Sequence, residues 1–310
     1  MTHEEKIARW IGEGKVGTEI GPGSSPIPGV DPAPIYVDCF KTFAAAPCRA
    51  DYYGHACALP FHDHSLDYVL ASHVLEHVAN PVRALAEWYR VVRPGGIIYL
   101  IVPDRRRTWE HARELTPVDH MIDDFTRGTT ASDATHIDEF VFQADWSLFS
   151  PETSVEDVPA KQAELARTMH WAVEHGEEIN IHFHTFEPSN LRELLERMRT
   201  GGNTQRAPAS RQHAEARQTG AENETAEDVL PARPLLPRFK WEIVDFAEYF
   251  PAQTPNGVLA ILRVDKGWRA RADAEVFRLR TLGNPRGILR DDAQPFAEWS
   301  AKPPVSGGAC

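Results

Sequence analysis

The sequence feature that most restricts the fold is a short predicted strand that runs directly into a glycine-rich turn. The strand covers 16–20, and the turn begins Gly21-Pro22-Gly23. Glycines in such a turn let the backbone approach a ligand closely. A second strand ends at Asp38, where a carboxylate can accept hydrogen bonds from both hydroxyls of a ribose. Together these features predict a nucleoside-binding site, without choosing between NAD and S-adenosylmethionine (SAM).

Strands and helices alternate along the rest of the chain. Strands are predicted at 35–37, 66–71, 97–102, 241–246 and 258–264, and helices at 2–11, 81–92, 158–175, 188–199 and 270–281. The run 97–102 is apolar throughout, as expected of a strand that is buried on both faces. This alternation predicts an α/β fold built on a mostly parallel sheet.

Composition narrows the classes of partner. Lys and Arg number 33 against 45 Asp and Glu, which gives a net charge of −12 and argues against a general binder of nucleic acid or anionic membranes. No apolar run approaches the roughly 20 residues that span a bilayer. The four cysteines show no Cys-x-x-Cys spacing. We therefore expect a cytoplasmic protein with reduced thiols and a small-molecule partner.

From Glu19 to Gly96 the sequence resembles the class I SAM-dependent methyltransferases, in particular the small-molecule branch. The matching segments are Glu19 to Gly23, Asp38, Ala58 to Phe61, Ser65 to Val69, Ser72 to Val78, Pro81 and Val91 to Gly96. The resemblance implies a Rossmann-like class I sheet that is mostly parallel with an antiparallel terminal strand, plus a helical and loop cap. It also implies SAM as the cofactor.

The resemblance assigns cofactor contacts. It implies that the glycine turn and the acid before it line the methionine part of SAM, and that Asp38 holds the ribose. His55 stands where the family often has an Asp for the adenine amino group. A neutral imidazole can accept one such hydrogen bond, or a backbone carbonyl can take over. The predicted cofactor-binding residues are Glu19, Gly21, Gly23, Asp38, His55, Ala56 and Ser72.

A proline-rich stretch departs from the family pattern. Pro26, Pro28, Pro32 and Pro34 fall where the family usually has its first crossover helix. Because proline inside a helix costs about 3 kcal/mol, we expect this helix to be short or absent.

Histidine is the candidate for proton or metal chemistry, with 14 residues in the chain. A hydroxyl acceptor needs a general base or a metal that acidifies it. His73-x-x-Glu76-His77 resembles the Glu-x-x-Glu-His metal motif of small-RNA 3′-terminal 2′-O-methyltransferases, with His73 replacing the first Glu. On a helix these three side chains can share a face. In metal-free methyltransferases, however, Leu-Glu-His at this point caps a helix or holds a loop.

Two further histidine patterns follow, at His136-x-Asp138-Glu139 and His182-x-His184. On a strand, His182 and His184 would point to one face and could converge on one ligand. We predict His136 and His73 as catalytic residues. A site for Mg²⁺ or another divalent metal is predicted from His73, Glu76, His77, His136, His182 and His184.

The segment after the predicted strand 97–102 carries three consecutive arginines. Asp104, Arg105 and Arg106 are predicted to contact the substrate, because arginines there could clamp a carboxylate, phosphate or sugar. Pairing with local acids such as Glu110 or Glu114 is the alternative. The segment resembles a bacterial methyltransferase subgroup that often accompanies carbohydrate or natural-product biosynthesis.

These features predict a SAM-dependent O-methyltransferase acting on a hydroxyl of a sugar, oligosaccharide or glycosylated natural product. An N-methyltransferase of a small molecule and a non-catalytic SAM-binding protein remain alternatives, and a homodimer is one option for assembly. The expected division is a SAM-binding core at 1–132, a cap and acceptor segment at 133–200, a disordered insert at 201–237, a final strand pair at 238–267, and a C-terminal helix and tail at 268–310.

Overall fold

A computed structural model describes residues 1–43, 46–201, 236–281 and 285–299. Most of the predicted disordered insert, 202–235, and the end of the tail lie outside the described residues. The strands are β1 Gly17–Ile20, β2 Ile35–Asp38, β3 Thr42–Phe43, β4 Ala46–Pro47, β5 Tyr52–Tyr53, β6 Leu66–Ser72, β7 Val92–Pro103, β8 Trp241–Phe250 and β9 Gly257–Val264. The α-helices are α1 His3–Trp10, α2 Pro81–Val91, α3 Val118–Arg127, α4 Ile137–Phe142, α5 Trp146–Phe149, α6 Val158–Glu174, α7 Pro188–Thr200 and α8 Trp268–Thr281.

The central sheet has seven strands in the order β5-β2-β1-β6-β7-β9-β8. β2, β5, β6 and β7 join β1 through parallel pairs, whereas β9 runs antiparallel to both of its neighbours. The strand order reverses between β1 and β6. In open α/β sheets, ligands bind outside the carboxyl ends of the strands at such a point. The prediction of a mostly parallel sheet with an antiparallel terminal strand is confirmed.

Helix α2 shows how the sequence pattern produces the core. Asn80 accepts a hydrogen bond from the Arg83 backbone N–H at 3.0 Å, and Pro81 fits the first turn, where no backbone donor is needed. Leu85 and Trp88 are fully buried against the sheet. The Trp88 indole donates to the Ala56 carbonyl at 3.0 Å, so its polar atom is satisfied.

The segment 21–34 between β1 and β2 contains no helix, as its prolines predict. A different contact organises it. The backbone N–H of Ile27 donates to Glu19 Oε1 at 2.9 Å, and the Ile27 side chain is buried. The segment is thus fixed by a strand carboxylate instead of by its own helical hydrogen bonds.

Helices α4, α5 and α6 form a cap with its own small core, which includes Ile137, Phe140, Trp146 and Met169. Residues 179–186 complete that core but do not form a strand. The prediction that His182 and His184 point to one face of a strand is therefore wrong. Bends in this segment direct the two rings to different neighbours, although Phe183 between them is buried as expected.

Among the described residues, no helix has both the length and the apolar character needed to cross a membrane.

We expect Leu85→Ala to destabilise the protein by about 2–5 kcal/mol, because it leaves a cavity in the fully packed layer between α2 and the sheet. Arg83→Ala, at an exposed position of the same helix, is the matched control and should change stability by less than about 0.5 kcal/mol. Urea unfolding measures both. Equal losses in the two variants would contradict this account of the core.

Candidate active site

The glycine turn lies at the carboxyl end of β1, beside the segment that follows β6. Gly21 and Gly23 both have positive φ, 59° and 53°. A Cβ atom on Gly21 would lie 2.8 Å from the Val74 side chain, whereas one on Gly23 would meet no atom within 4 Å. The turn therefore packs tightly against the end of β6 on one side and leaves open space on the other.

Glu19 is buried beneath this turn. Its Oε1 accepts the Ile27 N–H, while its Oε2 has no hydrogen-bond partner among the described residues. Burial raises the pKa of Glu19 to about 7, against the opposing effects of the Ile27 N–H and the Arg49 charge. A buried oxygen without such a partner can accept a donor or face a cation.

The other predicted cofactor residues lie along the same edge of the sheet. Asp38 is buried at the end of β2 and accepts the Phe40 N–H at 2.9 Å. The His55 Nε2 contacts the Tyr53 hydroxyl, and His55 lines a cavity of about 210 Å³ with Asn80 and Thr130. Ala56 is buried with its carbonyl bound to an indole, and Ser72 ends β6.

Glu76, His77 and His182 form an edge cluster directly after β6. Each offers one ligand atom, and these atoms lie within 4.8 Å of one another. Glu76 is completely buried, and neither of its oxygens has a hydrogen-bond partner among the described residues. His73 Nδ1 lies 3.5 Å from Glu76 Oε1, at ion-pair distance. The predicted shared helical face is wrong, because His73 precedes the short 3₁₀ turn Leu75–His77 and has a φ of 56°.

Polar partners fix both imidazoles of the edge cluster. His77 Nδ1 lies 2.8 Å from Asn180 Oδ1, and His182 Nδ1 lies 2.9 Å from Glu110 Oε2. His77 Nδ1 donates to the Asn180 oxygen, and His182 Nδ1 lies at ion-pair distance from Glu110, so Nε2 is the ring atom left to bind a ligand in each case. Burial lowers the pKa of His77 to about 4, so this ring is neutral. Burial acts to raise the pKa of Glu76, but the adjoining His73 outweighs it and the pKa is lowered.

His120, Asp124, His136 and His184 form a second group, the cap cluster, whose ligand atoms also lie within 4.8 Å of one another. The single predicted metal set is therefore divided between two places. Sequence reasoning missed two members. His120 and Asp124 are four residues apart on α3, a spacing that puts them on one helix face. That spacing, between Pro117 and Gly128, is the signal that could have found them.

Arg113 contacts two carboxylates, one next to each cluster. Its side chain is fully buried and donates at 2.7 Å to both Glu110 Oε1 and Glu139 Oε1. Glu110 holds His182 of the edge cluster, and Glu139 accepts from His136 Nδ1 of the cap cluster at 2.9 Å. Burial acts to raise the pKa of Glu139, but His136 and Arg113 outweigh it and lower the pKa to about 2.

The predicted substrate clamp is paired internally. Asp104 is completely buried and binds the Arg106 guanidinium through two contacts, at 2.8 and 2.7 Å. Arg105 Nε lies 2.7 Å from Glu187. Both guanidinium groups are therefore paired within the protein, and their contact with a substrate stays a prediction. The alternative of pairing with acids holds, but the acids are Asp104 and Glu187 and not Glu110 or Glu114.

Comparison with known proteins agrees with this geometry. A family model described as a methyltransferase domain matches residues 12–100. The chain carries a class I SAM-dependent methyltransferase domain. An uncharacterised methyltransferase of Mycobacterium tuberculosis is 36% identical over 106 residues, which are 34% of this chain and 42% of that protein. One of Mycolicibacterium gilvum is 46% identical over 77 residues, 23% of this chain and 28% of that protein.

The chain thus spans less than half the length of these curated relatives. Among solved structures, a SAM-dependent methyltransferase from Methanosarcina mazei is 16% identical, with a TM-score of 0.43 over 86% of this chain and 100% of that one. In this chain, the methyltransferase domain supplies the glycine turn, Glu19, Glu76 and His77, whereas the cap cluster lies beyond the segment that the family model matches.

Glu19 gives the methyltransferase domain a specific pH dependence. Its pKa is about 7 in the folded chain against 4.5 as the ordinary value. Between these values the unfolded chain loses the proton and the folded chain keeps it, so Glu19 makes the free energy of unfolding fall as pH rises. Relative to Glu19→Gln, the wild type should lose about 3 kcal/mol across this range. Urea unfolding at stepped pH values measures the difference, and a flat difference would contradict the assignment.

Arg113→Met should destabilise the protein by about 3–5 kcal/mol, because it leaves the buried Glu110 and Glu139 carboxylates without their cation. Arg199→Met is the matched control. Arg199 is exposed and pairs with Glu196 on the same helix, an interaction worth no more than about 1 kcal/mol. Denaturant unfolding of both variants measures the contrast. A loss at Arg113 no larger than that at Arg199 would show that the buried pairs do not hold the clusters.

Proposed function

We propose that this protein is a SAM-dependent O-methyltransferase that acts on a hydroxyl of a sugar, oligosaccharide or glycosylated natural product. The observation that carries the proposal is the edge cluster. Glu76, a buried carboxylate without a hydrogen-bond partner among the described residues, follows β6 near the glycine turn and lies close to two imidazoles. Such a group can activate a neutral hydroxyl, which is a poor nucleophile by itself.

The residues of the glycine turn fit the cofactor that the family implies. Open space beside Gly23 admits a ligand close to the backbone, and Glu19, two residues before Gly21, has one oxygen with no hydrogen-bond partner among the described residues. Asp38, at the end of β2, is placed for a ribose. SAM supplies a methyl group that its sulfonium already activates, so the protein has to align the acceptor and remove its proton.

His73 is better placed than His136 to take that proton. His73 is 39% exposed at the carboxyl edge of the sheet, with Nδ1 near Glu76. Burial acts to lower the pKa of His73, but Glu76 outweighs it and raises the pKa. Both ring nitrogens of His136, in contrast, are engaged by His120 and Glu139. SAM would supply the activated methyl group and keep the carbon–sulfur electron pair, and His73 would receive the proton that the acceptor hydroxyl gives up.

The edge cluster also fits a divalent cation. Glu76, His77 and His182 supply three ligands of mixed type, which suits Mn, Fe or Zn. Three protein ligands leave a position open, as in catalytic metal sites. A metal there would acidify the acceptor hydroxyl. Asn180 and Glu110 would hold the two imidazoles in their ligating tautomers.

We propose this class of acceptor because of the sequence resemblance and the net charge of the chain. The segment after β7 and the His-x-His pattern resemble methyltransferases that accompany carbohydrate and natural-product biosynthesis. The net charge of −12 disfavours a polyanionic acceptor such as RNA. An uncharged polyol is compatible with both observations.

The test is formation of S-adenosylhomocysteine from SAM with a panel of mono- and oligosaccharides, glycosides and small amines. We expect turnover with a hydroxyl acceptor that chelation abolishes and Mg²⁺, Mn²⁺ or Zn²⁺ restores. His73→Gln should lower kcat by about 10²–10⁴-fold, since it removes the general base. Glu76→Gln should remove the metal-dependent turnover.

His111→Gln is the matched control, because His111 is exposed and pairs with Asp145 outside both clusters. It should retain wild-type turnover. Activity confined to amines would replace the proposal with N-methylation. Full activity after exhaustive chelation would contradict the proposed role of a metal. A wild-type kcat in His73→Gln would contradict the role of His73 as the base.

A further inference from the structure

The cap cluster of His120, Asp124, His136 and His184 has the geometry of a separate metal centre. His120 Nε2 lies 2.8 Å from His136 Nε2 and 3.3 Å from Asp124 Oδ2. His184 Nε2 lies 3.0 Å from the same aspartate oxygen. Ligand atoms about 2.0 Å from a tetrahedral ion stand about 3.3 Å apart. The four atoms therefore converge at nearly the spacing that one ion requires.

Contacts outside the cluster leave the ligating atoms pointing inward. Because His136 Nδ1 donates to Glu139 at 2.9 Å, Nε2 keeps its lone pair. Asp124 Oδ1 accepts from the Thr129 hydroxyl at 3.0 Å and from Arg127 at 3.1 Å. Its Oδ2 is then the atom that faces the imidazoles. An outer acceptor behind a ligating ring recurs in metal sites, and Glu139 takes that place behind His136.

Burial separates this cluster from a chance surface grouping. Asp124, His136 and His184 are buried, and only His120 is partly exposed. Three imidazoles surround a single carboxylate, so the donor set is rich in nitrogen. Imidazole favours transition metals such as Zn²⁺ over Mg²⁺.

We infer that the cap cluster binds a four-coordinate divalent transition-metal ion, with Zn²⁺ as the best match, at a site distinct from the edge cluster. Four protein ligands close the coordination sphere, which is the pattern of structural metal sites. The ligands come from α3, from the residue before α4, and from the segment before α7. A bound ion would therefore connect α3 to the start of α4 and to the segment before α7. His184 also donates its backbone N–H to the Glu76 carbonyl at 3.4 Å, and this hydrogen bond connects the cap cluster to the edge cluster.

The test counts zinc in the full chain after loading and desalting, by inductively coupled plasma mass spectrometry. His120→Ala and His136→Ala should each lose one zinc equivalent per chain relative to the wild type. His170→Ala is the matched control, because His170 is exposed and pairs with Asp138 outside the cluster. It should keep the wild-type zinc content.

Cobalt substitution gives a second readout that does not depend on activity. The visible absorption of four-coordinate Co²⁺ should match the wild type in His170→Ala and fall by the contribution of one site in His120→Ala, whose partly exposed ring can be removed with little effect on packing. Chelation should lower the Tm of the wild type and leave that of His120→Ala unchanged.

Wild-type zinc and cobalt signals in both His120→Ala and His136→Ala would overturn the inference, as would a wild type that retains no zinc after loading. Glu76→Gln separates this site from the proposed function. If Glu76→Gln loses no zinc while His120→Ala loses one equivalent, the result supports a metal site at the cap cluster and contradicts one at the edge cluster.

Discussion

Arg113 is a fully buried cation that lies between two carboxylates, and the position of both histidine clusters depends on it. Glu110 and Glu139 each accept one guanidinium N–H at 2.7 Å. Each carboxylate then holds one ring, His182 or His136. A buried charge is tolerated only when it is paired and hydrogen-bonded. The planar fork of arginine satisfies two acids at fixed angles, which a lysine could not do.

The two clusters differ in where their ligands originate. The sheet supplies Glu76 and His77 to the edge cluster, so that cluster moves with β6 and the glycine turn. The cap cluster draws all of its ligands from α3 and the cap segments. The proposed closed site would therefore set the position of the cap, while the proposed open site faces the acceptor. Arg113 and its two carboxylates contact one ring in each cluster. A movement of the cap would therefore change the position of His182 in the edge cluster through these buried contacts.

The sequence predicted the fold well because local patterns determine it. Apolar runs, Pro81 at a helix start and prolines within 26–34 act within a few residues of themselves. Site contacts between distant residues were not predictable in this way. Arg105 pairs with Glu187, 82 residues later, and no local signal marks that partner. The error at His182 and His184 has a different cause, since alternation of faces requires a strand and packing against the cap gives this segment bends instead.

Two buried carboxyls beside the glycine turn acquire opposite character from their surroundings. Glu19 faces one backbone N–H and a distant arginine, so burial dominates and its pKa rises to about 7. Glu76 is more deeply buried, yet its pKa is lowered because imidazoles surround it. When neighbours push the pKa values of two acids apart, they assign the acids different tasks. With a pKa of about 7, Glu19 can ionise when a cation binds beside it, whereas Glu76 is already an anion where a proton or a metal ion would have to be held.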